Sequence, residues 1–478
     1  MDIESILTNY QVGVVKDESL NYPKEFSINP DGSLPSYKHI EEQIRSVIAL
    51  SLNTPYDDPL INTVFPGDSV LIKPNLVFHY KEGGPPIECL VTHWSVIYEV
   101  AKLVLIKLGK NGRLIIGDAP IQGCDFKLLT EKQTPLKEIV KHLNSFFHVS
   151  VELVDFRGLT AEYKSALLVN KSSKTEHSKE IKLNNDSLLH NTKQDINKYR
   201  TIDYPFKLTR KYHNIEYHVF KLNNYVIESD VIINMPKLKT HCKTGITASL
   251  KNLVGTLADK QSLPHHRQGS SYGGGDEYCN AELLPYIESK LWDIINLTKK
   301  YSLKSFIYLF LRIIRKIFKI FGKVSDPLNI YGGSWYGNDT LWRGILDINR
   351  LCLYADKYGI LSESIKRRYL TIIDGIVAGE GEGPLFNIPK NAGLLLSAEN
   401  PVALDAVSAN IIGFDYNKIP LIFNALKIKK YPIMKFDFND IIIHSNNEIL
   451  NNKKLNDVDY LFKFIPSKNW INHIEKEK

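Results

Sequence analysis

Lys237, Lys239, His241 and Lys243 alternate along seven residues at the end of an apolar run, and Thr244, Thr247, Lys251 and Asn252 follow within the next nine. Ammonium and imidazole groups delivered to the mouth of a helix suit an anion. Charge-assisted hydrogen bonds and free helix N–H groups both stabilise phosphate or carboxylate. The whole stretch, Asp230 to Gly255, reads as a β-branched strand followed by a small-residue helix. Lys237 and Lys239 are then expected on one face of the extended part, and Lys243, Thr244, Thr247 and Lys251 on one face of the helix. With Lys73 and Asn75 from an earlier strand end, the expected anion-binding set is Lys73, Asn75, Lys237, Lys239, Lys243, Thr247, Lys251 and Asn252.

A second group is acidic. Tyr369 to Asp374 reads as a strand ending in a carboxylate, and the run from Asp374 to Pro384 holds three acids and four glycines in eleven residues. It is expected to be a loop, since glycine lets backbone approach a ligand closely. Asp118, His241, Asp374, Glu380 and Glu382 are the candidates for proton transfer, and Asp374, Glu382 and Asp405 for oxygen ligation of a divalent cation, Mg²⁺. The acidic run should form the other half of a pocket whose first half is the lysine motif. Against this stands the plainer alternative that residues such as Lys251 and Asp405 serve as caps or ion pairs. Cys242 lies among the lysines, a setting that lowers a thiol pKa, but no partner acid is visible for it.

These groups need a frame. Asp68 to Val77 reads as a buried strand stopped by Pro74, and Val96, Ile97, Val100, Ala101, Val104, Leu105 and Leu108 recur at helical spacing after Thr92 or Ser95 as cap and before Gly109. Arg113 to Gly117 is the next strand, so the unit is β, crossover helix, β. Such units build parallel sheets, and ligands gather beyond the carboxyl ends of their strands, where Lys73, Asn75 and Asp118 fall. A helix over Leu136–Phe147 and a strand over Val149–Asp155 extend the pattern. Asn338 or Asp339 is expected to cap a helix presenting Arg343 and Asp347 as a pair, and Asn400 to cap the helix that starts at Pro401. The fold class is therefore α/β, a mainly parallel sheet with crossover helices in two lobes. The expected divisions are a lead-in over 1–60, an α/β domain over 61–290, a basic amphipathic segment over 291–330 and a C-terminal α/β lobe over 331–478. Residues 162–212, rich in Lys, Asn, Ser and His, read as a polar insertion, ordered as edge strands or disordered. The loop with His265, His266 and Gly273–Gly275 reads as a lid or as an ordinary surface loop.

At 478 residues, 43% hydrophobic and 24% charged, the chain has the balance of a soluble globular protein. A net charge of +7 is modest for this length and gives no support to nucleic-acid binding. Five dispersed cysteines form no CxxC pair, so neither an iron–sulfur cluster nor a disulfide framework is expected. The N-terminus shows no apolar signal region, which points to the cytoplasm or the inner face of its membrane. Tyr301 to Lys323 is the most apolar segment, yet Arg312, Arg315, Lys316, Lys319 and Lys323 lie three or four apart. That pattern opposes a transmembrane span and suits a helix lying in a membrane interface, with Phe310 and Phe318 on the apolar side and Arg312, Arg315, Lys316 and Lys319 on the basic side. A core or dimer helix is the alternative.

No Walker A, GxGxxG, HExxH or GxSxG pattern stands where it would be needed. The strings VLIKPNLV, VTHWSVIYEVAKLVLIKLGKNGRLIIGDAP, DVIINMPKLKTHCKTGITASLKNLVG, DGIVAGEGEGP and PVALDAVSANIIG, in that order over roughly residues 66–413, resemble the Domain of Unknown Function 362 family. Many of its members carry a ferredoxin-type module with two cysteine-rich motifs, absent here. The WYGNDTLWRGILDIN block resembles longer members often encoded among cell-surface polysaccharide genes. One segment, the strand, proline and basic cluster, is also similar to the lactate-racemase family, whose members hold a nickel-pincer nucleotide. The resulting expectation is a membrane-peripheral enzyme acting on a phosphorylated, nucleotide-linked or lipid-diphosphate-linked sugar in surface polysaccharide synthesis. Its rivals are a non-catalytic cofactor- or polyprenyl-phosphate-binding protein and a redox or metallocofactor enzyme.

Overall fold

Val70–Ile72, Leu114–Ile116 and Val231–Ile233 show no polar alternation because both faces of their strands are covered. The computed structural model describes residues 3–31, 33–164, 167–173, 177–280, 282–320 and 332–477. Its main sheet has eleven strands. In chain order they are β1 (Gln11–Lys16), β2 (Ser69–Pro74), β3 (Arg113–Asp118), β4 (Ser150–Asp155), β5 (Val231–Met235), β6 (Lys237–His241), β7 (Gly245–Thr247), β8 (Arg368–Glu382), β9 (Phe386–Ala398), β10 (Ile442–Ser445) and β11 (Lys453–Lys454). The principal helices are α1 (Lys38–Leu52), α2 (Trp94–Leu108), α3 (Leu136–Phe147), α4 (Ser249–Asn252), α5 (Leu283–Leu297), α6 (Tyr301–Ile320), α7 (Leu341–Tyr354) and α8 (Pro401–Ile411).

The spatial order is β11-β10-β1-β9-β8-β5-β2-β3-β4, with β6 added to β8 and paired to β7. β8, β5, β2, β3 and β4 run parallel, as do β1 and β10, and the antiparallel strands are β9, between β8 and β1, β7, paired to β6, and β11, paired to β10. The fold is thus α/β with a mainly parallel sheet, as the alternating pattern of strands and helices implies. Successive residues enter opposite layers: Ile115 and Ile232 join one core with Ile348 of α7 and Val407 of α8, while Leu114, Ile116, Val231 and Ile233 join another with Ile44 of α1, Val100 of α2 and Ile139 of α3. The carboxyl ends of β2, β3, β5 and the first half of β8 lie along one edge, where Pro74, Asp118, Met235 and Asp374 emerge.

Several local expectations change. α2 is capped by His93, whose ring accepts from Ser95 N, and neither Thr92 nor Ser95 is the cap. Thr92 Oγ1 instead accepts from Asn75 N and donates to Met235 O, tying β2 to β5. Gly245, at φ 76°, reverses the chain after β6, so the lysine motif is a hairpin followed by the one-turn helix α4. Lys243, Thr244, Thr247 and Lys251 therefore do not share one helical face. The run from Asp374 to Glu382 is the second half of the long strand β8, because β9 pairs with it through Glu382↔Phe386. Arg343 pairs with Asp339 at 2.9 Å, and Asp347 with Arg350 at 2.7 Å, so the expected Arg343–Asp347 pair is not formed. Asn338 accepts from Thr340 N and Leu341 N at the start of α7, and Asn400 caps α8 through Val402 N and Ala403 N. In the polar insertion, Ser178–Lys182 pairs antiparallel with Val219–Asn223, and Leu159–Lys164 with Leu167–Ser173.

Candidate functional site

The motif hairpin brings Lys239 and His241 of β6, Lys243 of the turn, Thr247 of β7, and Lys251 and Asn252 of α4 onto one wall of a cavity of about 750 Å³. Asn75 and Asp118 line it from the ends of β2 and β3, and Lys260 and His265 from the segment after α4. Val77, Phe78, Ile121, Ile202, Leu385 and Phe386 add apolar surface. Position follows topology, because the cavity opens beyond the carboxyl ends of adjacent parallel strands.

The cationic wall is held open by backbone contacts. Lys239 Nζ donates to the Leu90 carbonyl at 2.6 Å, Lys260 Nζ to the Val254 carbonyl at 3.2 Å, and Lys243 Nζ to the Gly332 carbonyl and to Ser334 Oγ. Lys251 Nζ donates no hydrogen bond to a described residue. Burial, reinforced by Lys251 nearby, pushes Lys239 down to about 7. Burial likewise takes Lys251 to about 8, with Lys73 adding to the fall, and Lys260 to about 7. His241 and His265 are held well below the ordinary histidine value by burial and by the surrounding lysines, so both rings are neutral. His241 Nδ1 accepts from Lys243 N at 3.0 Å and His265 Nδ1 from Ile202 N at 3.2 Å, which leaves Nε2 as the protonated nitrogen in each. Thr247 Oγ1, Asn75 Oδ1 and Asn252 Oδ1 are buried without a partner among the described residues. Crowded cations that depress one another, beside the unpartnered Thr247 hydroxyl, are complementary to a multiply charged anion, whereas the two amide oxygens only accept and suit a hydroxyl or N–H of the same ligand.

Lys73 and Asp118 are a fully buried pair at 2.7 Å, and Asp118 Oδ2 also accepts from Leu76 N at 2.6 Å. Asp118 thus lines the cavity with its charge already matched, while Lys73, expected on the anion, lies behind it. Gly255 makes this possible: a Cβ there would sit 1.9 Å from Asp118 Oδ1 and 2.6 Å from Lys73 Nζ.

The acidic run lies beside the lysine motif, as β6 and β8 pair directly with Lys237 opposite Asp374 and Lys239 opposite Gly379. Its carboxylates nevertheless turn elsewhere, which corrects the expected acidic half of the pocket. Asp374 pairs with Lys237 at 2.6 Å and accepts from Tyr22 Oη and His93 N. Glu380 accepts from Ile465 N, and Glu382 from Ser467 Oγ and Lys468 N, so both pin the C-terminal segment. Asp405 accepts from Ser249 N and Leu250 N and caps α4; burial pushes its pKa up to about 8. The three expected metal ligands Asp374, Glu382 and Asp405 therefore have three separate structural engagements. Among the described residues no group of three or more His, Cys, Asp or Glu is placed to hold a metal ion. Lys237, expected in the anion set, is bound to Asp374 and Tyr22 and does not line the cavity. The register shift between Lys237 and Lys239 separates their roles.

Two participants, Tyr22 and Lys260, had no clear sequence signal. Tyr22 lies in the N-terminal segment, stacks on His93 at 3.9 Å and donates to Asp374 at 2.5 Å. Lys260 follows the motif in the single 3-10 turn Lys260–Ser262, too short to show periodicity, whereas His265 lies in the loop that the sequence offers as a lid or a surface loop, and it lines the cavity.

In the amphipathic segment, Arg312 and Lys316 are exposed and Phe310 is 51% exposed. Arg315 instead pairs with Glu288 of α5 at 2.5 Å, and Phe318 is half-buried, so these two do not belong to the outward face. The side chain of Lys319, and Lys323 entirely, lie outside the described residues. No helix among the described residues is long and apolar enough to cross a membrane.

Fold and cavity define an α/β protein with a cationic pocket at the carboxyl edge of a mainly parallel sheet. Residues 194–410, which include the lysine motif, β8 and most of α8, match the model of a family described as a domain of unknown function (DUF362). The chain is 22% identical over 362 residues to a thylakoid-associated protein of Synechocystis sp., an alignment covering 75% of this chain and 67% of that one. It is also similar to a crystal structure of a Thermotoga maritima protein at 12% identity and a TM-score of 0.26, covering 73% of this chain and about half, 53%, of the other.

Proposed function

We propose that the cavity binds and acts on a phosphorylated small molecule, of the nucleotide-linked or lipid-diphosphate-linked sugar class, with the phosphates on Lys239, Lys243, Lys251 and Lys260. The observation that carries this reading is the set of five lysines on the cavity lining, Lys81, Lys239, Lys243, Lys251 and Lys260, against two carboxylates, Asp118 and Asp203, of which Lys73 already neutralises Asp118. A diphosphate supplies the missing negative charge, and the apolar wall from Phe78 to Phe386 suits a base or a prenyl chain. Lys239 and Lys260, each with a pKa of about 7, and the neutral His241 and His265 are the groups able to move a proton at that site. Cell-surface polysaccharide synthesis is the setting that the family resemblance supports.

A second reading, a non-catalytic carrier of the same ligand, is favoured by one observation. Asp374, Glu380, Glu382 and Asp405 are all engaged structurally and none lines the cavity. A thermal-shift screen with nucleoside diphosphates, sugar nucleotides and polyprenyl phosphates, with and without Mg²⁺, tests both. Stabilisation by one class, lost in Lys251→Met, supports a phosphate site, and no shift with any class overturns it. Turnover of the bound ligand that is lost in His241→Gln separates enzyme from carrier.

A further inference from the structure

The α5–α6 hairpin presents apolar side chains to solvent on a scale that a surface helix does not need. On α6, Phe306, Leu309, Phe310, Ile313, Ile317 and Ile320 are each between 46% and 72% exposed. At helical spacing these six fall within one arc of about 100°. Leu311, fully buried, lies on the far side of the helix, and Arg315 is tied to Glu288 of α5. The helix is therefore fastened to the protein along one side and apolar along the other. α5 adds a second stripe, where Leu283, Tyr286, Ile294 and Leu297 are 65%, 53%, 48% and 42% exposed. Isolated exposed hydrophobes are ordinary, whereas contiguous apolar faces mark a binding surface.

The charge around this face selects the occupant. α6 contains no Asp or Glu, and its exposed cations Arg312 and Lys316 border the apolar arc. Lys299 and Lys300, also exposed, stand in the turn between the two helices. A second copy docked about a twofold axis would bring these like charges toward one another, which opposes self-association. An anionic bilayer meets the same arrangement favourably, with acyl chains taking the apolar arc and headgroups the cations. We propose that the α5–α6 hairpin docks this protein on an anionic lipid surface, α6 lying in the plane of the headgroups. This inference stands on the hairpin alone and does not depend on which ligand the cavity takes.

Flotation of the full chain with vesicles tests it, using phosphatidylcholine alone and phosphatidylcholine mixed with phosphatidylglycerol. Binding is expected to the mixed vesicles and to be weaker by at least about tenfold in Arg312→Glu/Lys316→Glu, given the usual contribution of each basic residue at an anionic surface. Phe306→Ser/Phe310→Ser should lose binding with an unchanged melting temperature, because both side chains are already in water. Equal flotation of both variants and the wild type, or flotation with neither vesicle type, overturns the proposal. So does a wild-type dimer in sedimentation velocity that dissociates in Phe306→Ser/Phe310→Ser while vesicle binding is absent.

Discussion

Lys237 Nζ lies 2.6 Å from Asp374 Oδ2 between two directly paired strands, and solvent reaches neither side chain. Tyr22 closes the pair, accepting from Lys237 at 2.7 Å and donating to Asp374 at 2.5 Å. Two residues whose types suggested chemistry thus join the hairpin β6 to the central sheet next to the cavity.

Breaking that pair from one side leaves a buried charge without a partner. Asp374→Asn should cost about 3–5 kcal/mol of stability. The double substitution Lys237→Met/Asp374→Leu should recover most of it, since two apolar groups replace two desolvated charges. Urea unfolding of the three proteins checks both statements.

Lys251 is the inverse case. Its ammonium is crowded by other cations and has no acceptor among the described residues, so Lys251→Met should leave stability unchanged or raised. Affinity for a nucleoside diphosphate sugar should fall by about tenfold or more, the usual worth of a hydrogen bond to a charged group. Calorimetric titration beside urea unfolding reads the two effects, which point in opposite directions.

The depressed lysines set the pH dependence. Lys239, Lys251 and Lys260 have folded values of about 7, 8 and 7, below the ordinary lysine value of 10.5. Between those limits the unfolded chain binds more protons than the folded one, so these groups make the free protein more stable as pH rises from about 7 toward 10. A bound phosphate favours the protonated amines, and affinity should therefore fall over the same window. Titration at pH 8 should show proton uptake on binding, read as a dependence of the binding heat on buffer ionisation enthalpy.

Gly255 is required by the Lys73–Asp118 pair. Gly255→Ala places a methyl group where Asp118 Oδ1 and Lys73 Cε now lie, and should cost about 1–3 kcal/mol through overpacking. Because Asp118 also holds the backbone at Leu76, the same variant should weaken ligand binding, whereas Gly273→Ala, whose added methyl would meet only Ser270 Oγ at 3.8 Å, should leave binding alone. Thermal denaturation with and without ligand distinguishes them.

The sequence by itself determined the α/β class with its mainly parallel sheet and much of one wall of the cavity. Apolar runs buried on both faces, crossover helices at 3.6-residue spacing and Gly or Asn punctuation were enough to read β2-α2-β3-α3-β4 and the start of α8, because those signals are local. The lysine motif was legible for the same reason: alternation along β6 places Lys239 and His241 two residues apart, and both line the cavity. Tertiary structure alone decided which charges are free. Whether Lys237 meets a ligand or Asp374 depends on a strand that arrives more than a hundred residues later. Glu380 and Glu382 are engaged by backbone from residues 465–468, and Asp405 by the N-terminus of α4. Residue type states what a side chain can pair with. In a low-dielectric interior the nearest complementary group takes it, and only the fold sets which group is nearest.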